Sequence, residues 1–192
     1  MATWQSSTVP NLWERATQHP FLAAVRDGTL PTAAFDTWLA QDHRFLGDLL
    51  WFQARLLARA PRAGQPVLAA GTAALVVELA WFERLADQRG LDLGSPAQPA
   101  TLAYRRLLER LDGTGFDDAM TALWAVEQTY LEAWRFAAPG AERFREVVAH
   151  WTTPAFGDYV DCLGAACPSL AGPLVDEVLV HEIAFWEMAW GR

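Results

Sequence analysis

The sequence predicts an all-α protein, a single-domain helical bundle of about seven to eight helices over residues 1–192. Three observations lead there. Apolar residues recur three and four positions apart through long segments, Pro and Gly punctuate those segments at helix-length intervals, and no alternating β-branched run suggests a sheet. With 192 residues, 52% of them hydrophobic and including ten Trp and ten Phe, the chain fits one domain with a sizeable aromatic core.

The elements follow in order. Asn11 is expected to cap a helix over residues 11–28, interrupted near His19-Pro20 because proline removes an amide donor and crowds the preceding turn. Pro31-Thr32 opens a longer helix that ends near residues 60–61, and a third spans about residues 64–90. After a Pro-, Gly- and Ser-rich loop at residues 93–100, helices are expected at 99–111, 116–137, 141–151, 153–166 and 170–190.

Charge and cysteine content exclude several function classes. The net charge is −8, the pI is near 4.9, and the 15 Lys and Arg are scattered singly or in pairs, which disfavours a nucleic-acid partner and suits a cationic or neutral small ligand. Cys162 and Cys167 are five apart, poor geometry for a disulfide and too few for a thiolate zinc site, so both are expected to be reduced core thiols. No apolar run approaches the roughly 20 residues that span a bilayer, and the N-terminus lacks the layout of a signal peptide. The expectation is a soluble, cytoplasmic protein with no membrane partner.

Two hexapeptides about a hundred residues apart are near copies: Glu-Leu-Ala-Trp-Phe-Glu at 78–83 and Glu-Ile-Ala-Phe-Trp-Glu at 182–187. On a helix, Glu78 and Glu182 each share a face with aromatics three and four positions ahead and aliphatics behind. Asp42 repeats the pattern between Trp38, Leu39 and Phe45, Leu46; Glu127 repeats it between Leu123, Trp124 and Tyr130, Leu131. Amphipathic helices normally place acids opposite the apolar stripe, and a buried carboxylate is costly unless paired, hydrogen-bonded or protonated. Four helices are therefore expected to turn one acid each toward a common cavity, whereas Glu83 and Glu187 fall on outer faces.

Five motifs then occur in sequence: Leu-Trp-Glu-Arg-Ala-Thr-Gln-His-Pro-Phe at 12–21, Asp-Gly-Thr-Leu-Pro at 27–31, Gln-Asp-His-Arg-Phe-Leu at 41–46, Pro-Ala-Thr-Leu-Ala-Tyr at 99–104, and His-Glu-Ile-Ala-Phe-Trp-Glu-Met-Ala-Trp at 181–190. Along essentially its whole length the chain resembles the TenA family, thiaminase II relatives within the heme-oxygenase-like helical fold. The resemblance implies a small-molecule pyrimidine substrate in the bundle centre and hydrolysis of thiamine-breakdown aminopyrimidines for salvage. It implies that Asp42 holds the ring amino group and ring nitrogen, that Tyr104 and Phe185 line the pocket, and that Glu182 is the catalytic carboxylate. It also implies a homo-oligomer, dimer or tetramer, for which exposed aromatics such as Trp51 suit an interface.

The sequence departs from the family's better-known branch. That branch carries a nucleophilic cysteine where residues 120–130 here have none, and tyrosines where Phe45 and Trp151 stand. The resemblance is thus to the cysteine-less branch, associated with aminopyrimidine salvage. Releasing an amine from a pyrimidine-CH2-NH2 carbon, or hydrolysing its N-formyl derivative, needs an activated water and an acid for the departing nitrogen, roles that two carboxylates in different environments can divide. Glu182 and Glu127 are the expected catalytic pair, Glu182 shuttling the proton and Glu127 positioning the water. Phe45, Glu78, Tyr130 and Trp151 complete the expected lining. For Glu78 and Glu127 a structural hydrogen bond to Trp or Tyr is an equal alternative.

No metal or cofactor is expected. Two-iron bundles pair a Glu with a His three residues on, and no Glu-x-x-His occurs. His43 and His181 neighbour the key acids in sequence and so face about 100° away from them on a helix. His150 is expected at the surface, and His19 stands where the wider fold can carry a heme ligand. A metal- or heme-dependent oxidase and a non-catalytic pyrimidine-binding or regulatory protein are the alternative readings.

Overall fold

The computed structural model describes residues 11–167 and 170–191; the N-terminal segment on which the signal-peptide expectation rests lies largely outside them. Among the described residues there are nine α-helices and no strand. They are α1 Leu12–Thr17, α2 Pro20–Asp27, α3 Thr32–Ala58, α4 Gln65–Arg89, α5 Pro99–Asp112, α6 Phe116–Ala137, α7 Arg145–Trp151, α8 Pro154–Ala166 and α9 Pro173–Trp190. A 3-10 turn, Glu142–Phe144, leads into α7.

The extra helix comes from the His19-Pro20 break. His19 is extended, as a residue before proline prefers, and its Nδ1 accepts the Phe21 amide at 3.2 Å, so it caps a separate α2 with Pro20 at the first helical position. Asn11 does not act as the expected cap: it sits at φ 68° and its side chain makes no capping bond. Gly28 closes α2 in the left-handed region at φ 75°, its N–H reaching the Ala24 and Val25 carbonyls.

Packing divides the chain into two compact units, one comprising residues up to Leu30 and from Met120 to Trp186, the other Pro31–Ala119 and the residues from Glu187 on. In the second unit α3 packs against α4 and α5. Its buried face includes Phe35, Trp38, Leu39, Leu49 and Phe52, each worth about 1.5–3 kcal/mol when fully buried. Polar groups fix the register of these helices. The Gln53 Nε2 donates to the Leu68 carbonyl at 3.1 Å, Arg89 pairs with Asp36 at 2.6 Å, Arg105 with Asp48 at 2.9 Å and Arg55 with Asp112 at 2.7 Å.

In the first unit α6 is buried on every side from Met120 to Thr129, the mark of a core helix. Its Trp124 ring lies so close to Gly164 of α8 that a Cβ there would approach the indole nitrogen to 3.1 Å. The Trp186 indole donates to the Ala16 carbonyl at 3.0 Å, which fixes the rotation of α9.

Three expectations are corrected by this packing. Cys162 is exposed and Cys167 half-buried, neither in a disulfide, because α8 turns Val160 and Leu163 inward instead. Helix α4 is long and apolar enough by length and composition to cross a membrane, with mean hydropathy 1.4 over its most apolar window, of which 22% is buried. Its apolar stretch was underestimated in the sequence because Glu78 and Thr72 interrupt it. His150, expected at the surface, is half-buried, its ring meeting Trp151 edge-on at 5.1 Å.

Candidate active site

In the second unit, Asp42 lies midway along the inward stripe of α3 and is 3% exposed, with Trp38 one turn behind and Phe45 one turn ahead. Phe45 meets Tyr104 of α5 at 4.5 Å between ring centroids. That contact is set one turn earlier on both helices by Gln41. Its Oε1 accepts the Thr101 hydroxyl at 2.7 Å and the Gln98 amide at 2.8 Å, while its Nε2 donates to the Pro96 carbonyl at 3.1 Å. Gln41 and Thr101 were not singled out in the sequence, although both stand inside the motifs that carry Asp42 and Tyr104. Their partnership joins residues 60 apart in the chain, which no local spacing reveals.

Gln41 is buried, and Gln41→Ala would release the Thr101 hydroxyl, the Gln98 amide and the Pro96 carbonyl. The Gln98 amide and the Pro96 carbonyl can turn to water, and the buried Thr101 hydroxyl keeps only its weak contact with Met188 Sδ at 3.6 Å, so the variant is expected to lose about 1–3 kcal/mol in urea unfolding.

Glu78 occupies the inward stripe of α4 with Leu68, Gly71, Leu75, Phe82 and Ala86, yet it is only half-buried. The expectation of a fully inward acid is corrected there: the covered face of α4 is narrow, a small share of its residues being buried, and Glu78 is not among them. Glu83 and Glu187 are exposed, as their outer positions required.

In the first unit, Glu127 and Glu182 are buried at 8% and 5% exposure. Glu182 stands on the α9 stripe of Val175, Val178, Leu179, Trp186 and Ala189, with buried Phe185 one turn ahead. Glu127 sits on α6 where every neighbour in the helix is buried, so its carboxyl can reach water only through a cavity or a partner. Tyr130, half-buried, meets Trp151 edge-on at 5.5 Å and Trp134 at 5.9 Å. Trp134 stacks on Trp151 at 4.7 Å and meets Trp186 at 6.2 Å, and Phe21 of α2 closes on Trp186 at 5.3 Å. Tyr130 and Trp151 are thus brought together, with Trp134 between them as a ring that the sequence did not distinguish from ordinary core.

The Thr129 hydroxyl, next to Glu127 in sequence but on another face, is buried without a hydrogen-bond partner among the described residues. Among those residues no three His, Cys, Asp or Glu side chains group as a metal site would require. His19, placed as a heme-ligand position by the sequence, uses its Nδ1 to cap α2.

Long helices that bury single carboxylates among aromatic rings define an all-α protein with acids set into an aromatic core. The chain belongs to the TENA/THI-4/PQQC family, whose model matches residues 7–192. It is 32% identical over 204 residues to a Glycine max protein named as a probable bifunctional TENA-E protein, covering 94% of this chain and 89% of that one. Among solved structures it is similar to a TenA homologue from Pyrococcus furiosus, at TM-score 0.87 and 28% identity, covering 93% and 94% of the two chains. A TenA-like thiaminase candidate from Sulfolobus solfataricus shares the fold at TM-score 0.83 and 17% identity, covering 94% and 90%. A TenA family protein from Silicibacter, named a transcription regulator, does so at TM-score 0.86 and 19% identity, covering 95% and 93%.

Proposed function

We propose that this chain hydrolyses aminopyrimidine or formylaminopyrimidine breakdown products of thiamine, releasing the amine so that the pyrimidine can be salvaged. The observation that carries the reading is the burial of Asp42, Glu127 and Glu182 in aromatic surroundings in a chain of this family. The names of its relatives, a TENA-E protein and a thiaminase candidate, point toward the same chemistry.

In this reading one Asp42 oxygen accepts a hydrogen bond from the ring amino group and the other shares a proton with the ring nitrogen, a paired contact that fixes the ring's orientation. Phe45, Tyr104, Tyr130, Trp151 and Phe185 supply flat apolar surface for the heterocycle. Glu182 gives a proton to the departing nitrogen, and Glu127 holds the water that adds to the carbon or formyl group left behind. With no cysteine in α6 the water attacks directly, without a covalent thiolate intermediate. Glu78, half-buried, is assigned a supporting hydrogen bond to the substrate side of α4 and not proton transfer.

The protein is proposed to act in the cytoplasm, without cofactor, metal, membrane or nucleic acid, as a dimer or tetramer. Trp51, Val76, Val77 and Val180 are large apolar side chains left exposed, surface that association with another copy would cover. A regulatory role, suggested by the name of the Silicibacter relative, is disfavoured by the net charge of −8 and the scattered basic residues.

A test that separates the readings combines an absorption spectrum and metal analysis of the purified protein with a fluorescence titration by the aminopyrimidine. Saturable quenching of tryptophan emission, in protein free of stoichiometric iron or heme, is expected. A Soret band, stoichiometric iron that supports turnover, or absence of pyrimidine binding would overturn the proposal in favour of an oxidase or another ligand.

A further inference from the structure

The second unit also holds a cleft of about 360 Å³. Helix α3 contributes His43, Arg44 and Gly47; α4 contributes Leu79 and Glu83; Leu93 of the following loop and Arg105 of α5 close it. Its size suits a small molecule.

Two polar atoms in this lining are shielded from solvent and have no hydrogen-bond partner among the described residues: Arg44 Nε and His43 Nε2. Glu83 Oε1 lies 3.8 Å from His43 Nε2, within reach of an ion pair but too far for a hydrogen bond. A guanidinium N–H withdrawn from water without an acceptor is unfavourable, so the pair calls for an acceptor from outside the chain. Arg105 does not need one at its Nε, which is held by the Asp48 carboxylate at 2.9 and 3.0 Å.

Gly47 gives an independent reason to expect a ligand. Glycine in a helix interior is less stable than alanine, yet nothing lies within 4 Å of the place its Cβ would occupy. No packing neighbour forbids a side chain there, and the missing one leaves the cleft floor open.

The charges decide which anion fits. Asp48, held by Arg105, and Glu83 stand at the margins, so a dianion would meet two carboxylates, whereas a single negative charge can sit on Arg44. Leu79 and Leu93 offer apolar wall. We propose that this cleft binds a small organic carboxylate, one oxygen accepting from Arg44 Nε–H and the other from His43 Nε2–H, with its apolar body against Leu79 and Leu93. The site is separate from the proposed reaction and stands whether or not that reaction is correct.

The test is a titration of the full ¹⁵N-labelled chain with butyrate at low ionic strength, read from backbone amide shifts, with inorganic phosphate as the second arm. Butyrate is expected to saturate shifts at His43, Arg44 and Gly47 with a Kd on the order of 1 mM. Phosphate should bind at least about tenfold more weakly at these amides, because it brings more charge toward Asp48 and Glu83. Arg44→Gln should weaken butyrate about tenfold or more, the effect of losing one charge-assisted bond. Gly47→Leu, a good helix former with open space to enter, should keep the helical circular dichroism and abolish the shifts. The proposal is overturned if butyrate shifts do not saturate, arise only at other amides, or persist with the same Kd in either variant; tighter binding of phosphate would overturn the carboxylate assignment.

Discussion

Glu182→Gln is expected to lower kcat for pyrimidine amine release by about a hundred- to ten-thousand-fold while changing the substrate Kd by less than about threefold, the range typical of losing a positioned general acid. The amide keeps the size and hydrogen-bonding reach of the carboxyl, so the α9 stripe of Val175, Val178, Leu179 and Trp186 has no reason to repack. What disappears is the transferable proton. Kd from fluorescence titration and kcat from product formation separate the two effects, and equal, mild changes in both would identify Glu182 as a structural acid. The pH profile adds a further check, since the limb of the kcat curve that reports the catalytic acid should vanish in the variant.

Asp42→Ala is expected to act on the other parameter. Losing a carboxyl group that makes two hydrogen bonds to one ring, accepting from the amino group and sharing a proton with the ring nitrogen, should weaken binding by about 3–5 kcal/mol, roughly a hundredfold or more, with turnover at saturating substrate reduced less. The stability of the variant carries a second signature. A buried acid kept for a ligand makes no net contribution to the free protein, because desolvation opposes whatever contacts it makes, so its removal should leave the melting temperature within a few degrees of wild type or raise it. An acid kept for structure would instead leave its partners stranded and cost about 3–5 kcal/mol. Fluorescence titration together with thermal unfolding distinguishes these outcomes.

Much of the architecture was readable before the coordinates. The α6 boundaries, Phe116–Ala137, coincide with the predicted ones because Gly113 and Gly115 precede a helix-length stretch free of Gly and Pro, and Pro139 follows it. The inward placing of Asp42, Glu127 and Glu182 was readable for a similar reason: at minus four, minus three, plus three and plus four each is flanked by large apolar residues, and three helices obeyed that stripe with full burial. Glu78 has the same local pattern and is only half-buried, since burial depends on what lies across from a helix and the covered face of α4 is narrow. The twin hexapeptides are therefore alike in sequence and unlike in environment.

What was not readable depends on contacts distant in the chain. Gln41 looked like one more polar residue beside Asp42, and only its three bonds to residues 96–101 reveal that it seats α5 and hence Tyr104. Trp134 gave no signal either, because its stacking on Trp151 and its edge-on contact with Trp186 arise from the approach of three helices and not from any spacing within one. The cysteines were misplaced because thiols are usually buried, whereas α8 is a short surface-lying helix whose inward positions are taken by Gly157, Val160 and Leu163. At His19-Pro20 the break was anticipated, but the use of the imidazole as a cap was not, since histidine is an uncommon choice beside Ser, Thr, Asp and Asn.

The measurement that bears most directly on the proposed function is ammonia release when the purified wild-type chain is incubated with 5-aminomethyl pyrimidine, with formate release from its N-formyl derivative assayed in parallel. The account predicts that at least one product forms in amounts far exceeding the enzyme, without added metal or cofactor, and that Glu182→Gln abolishes it. Stoichiometric pyrimidine binding with neither product from several aminopyrimidines would contradict it and leave a binding protein in its place.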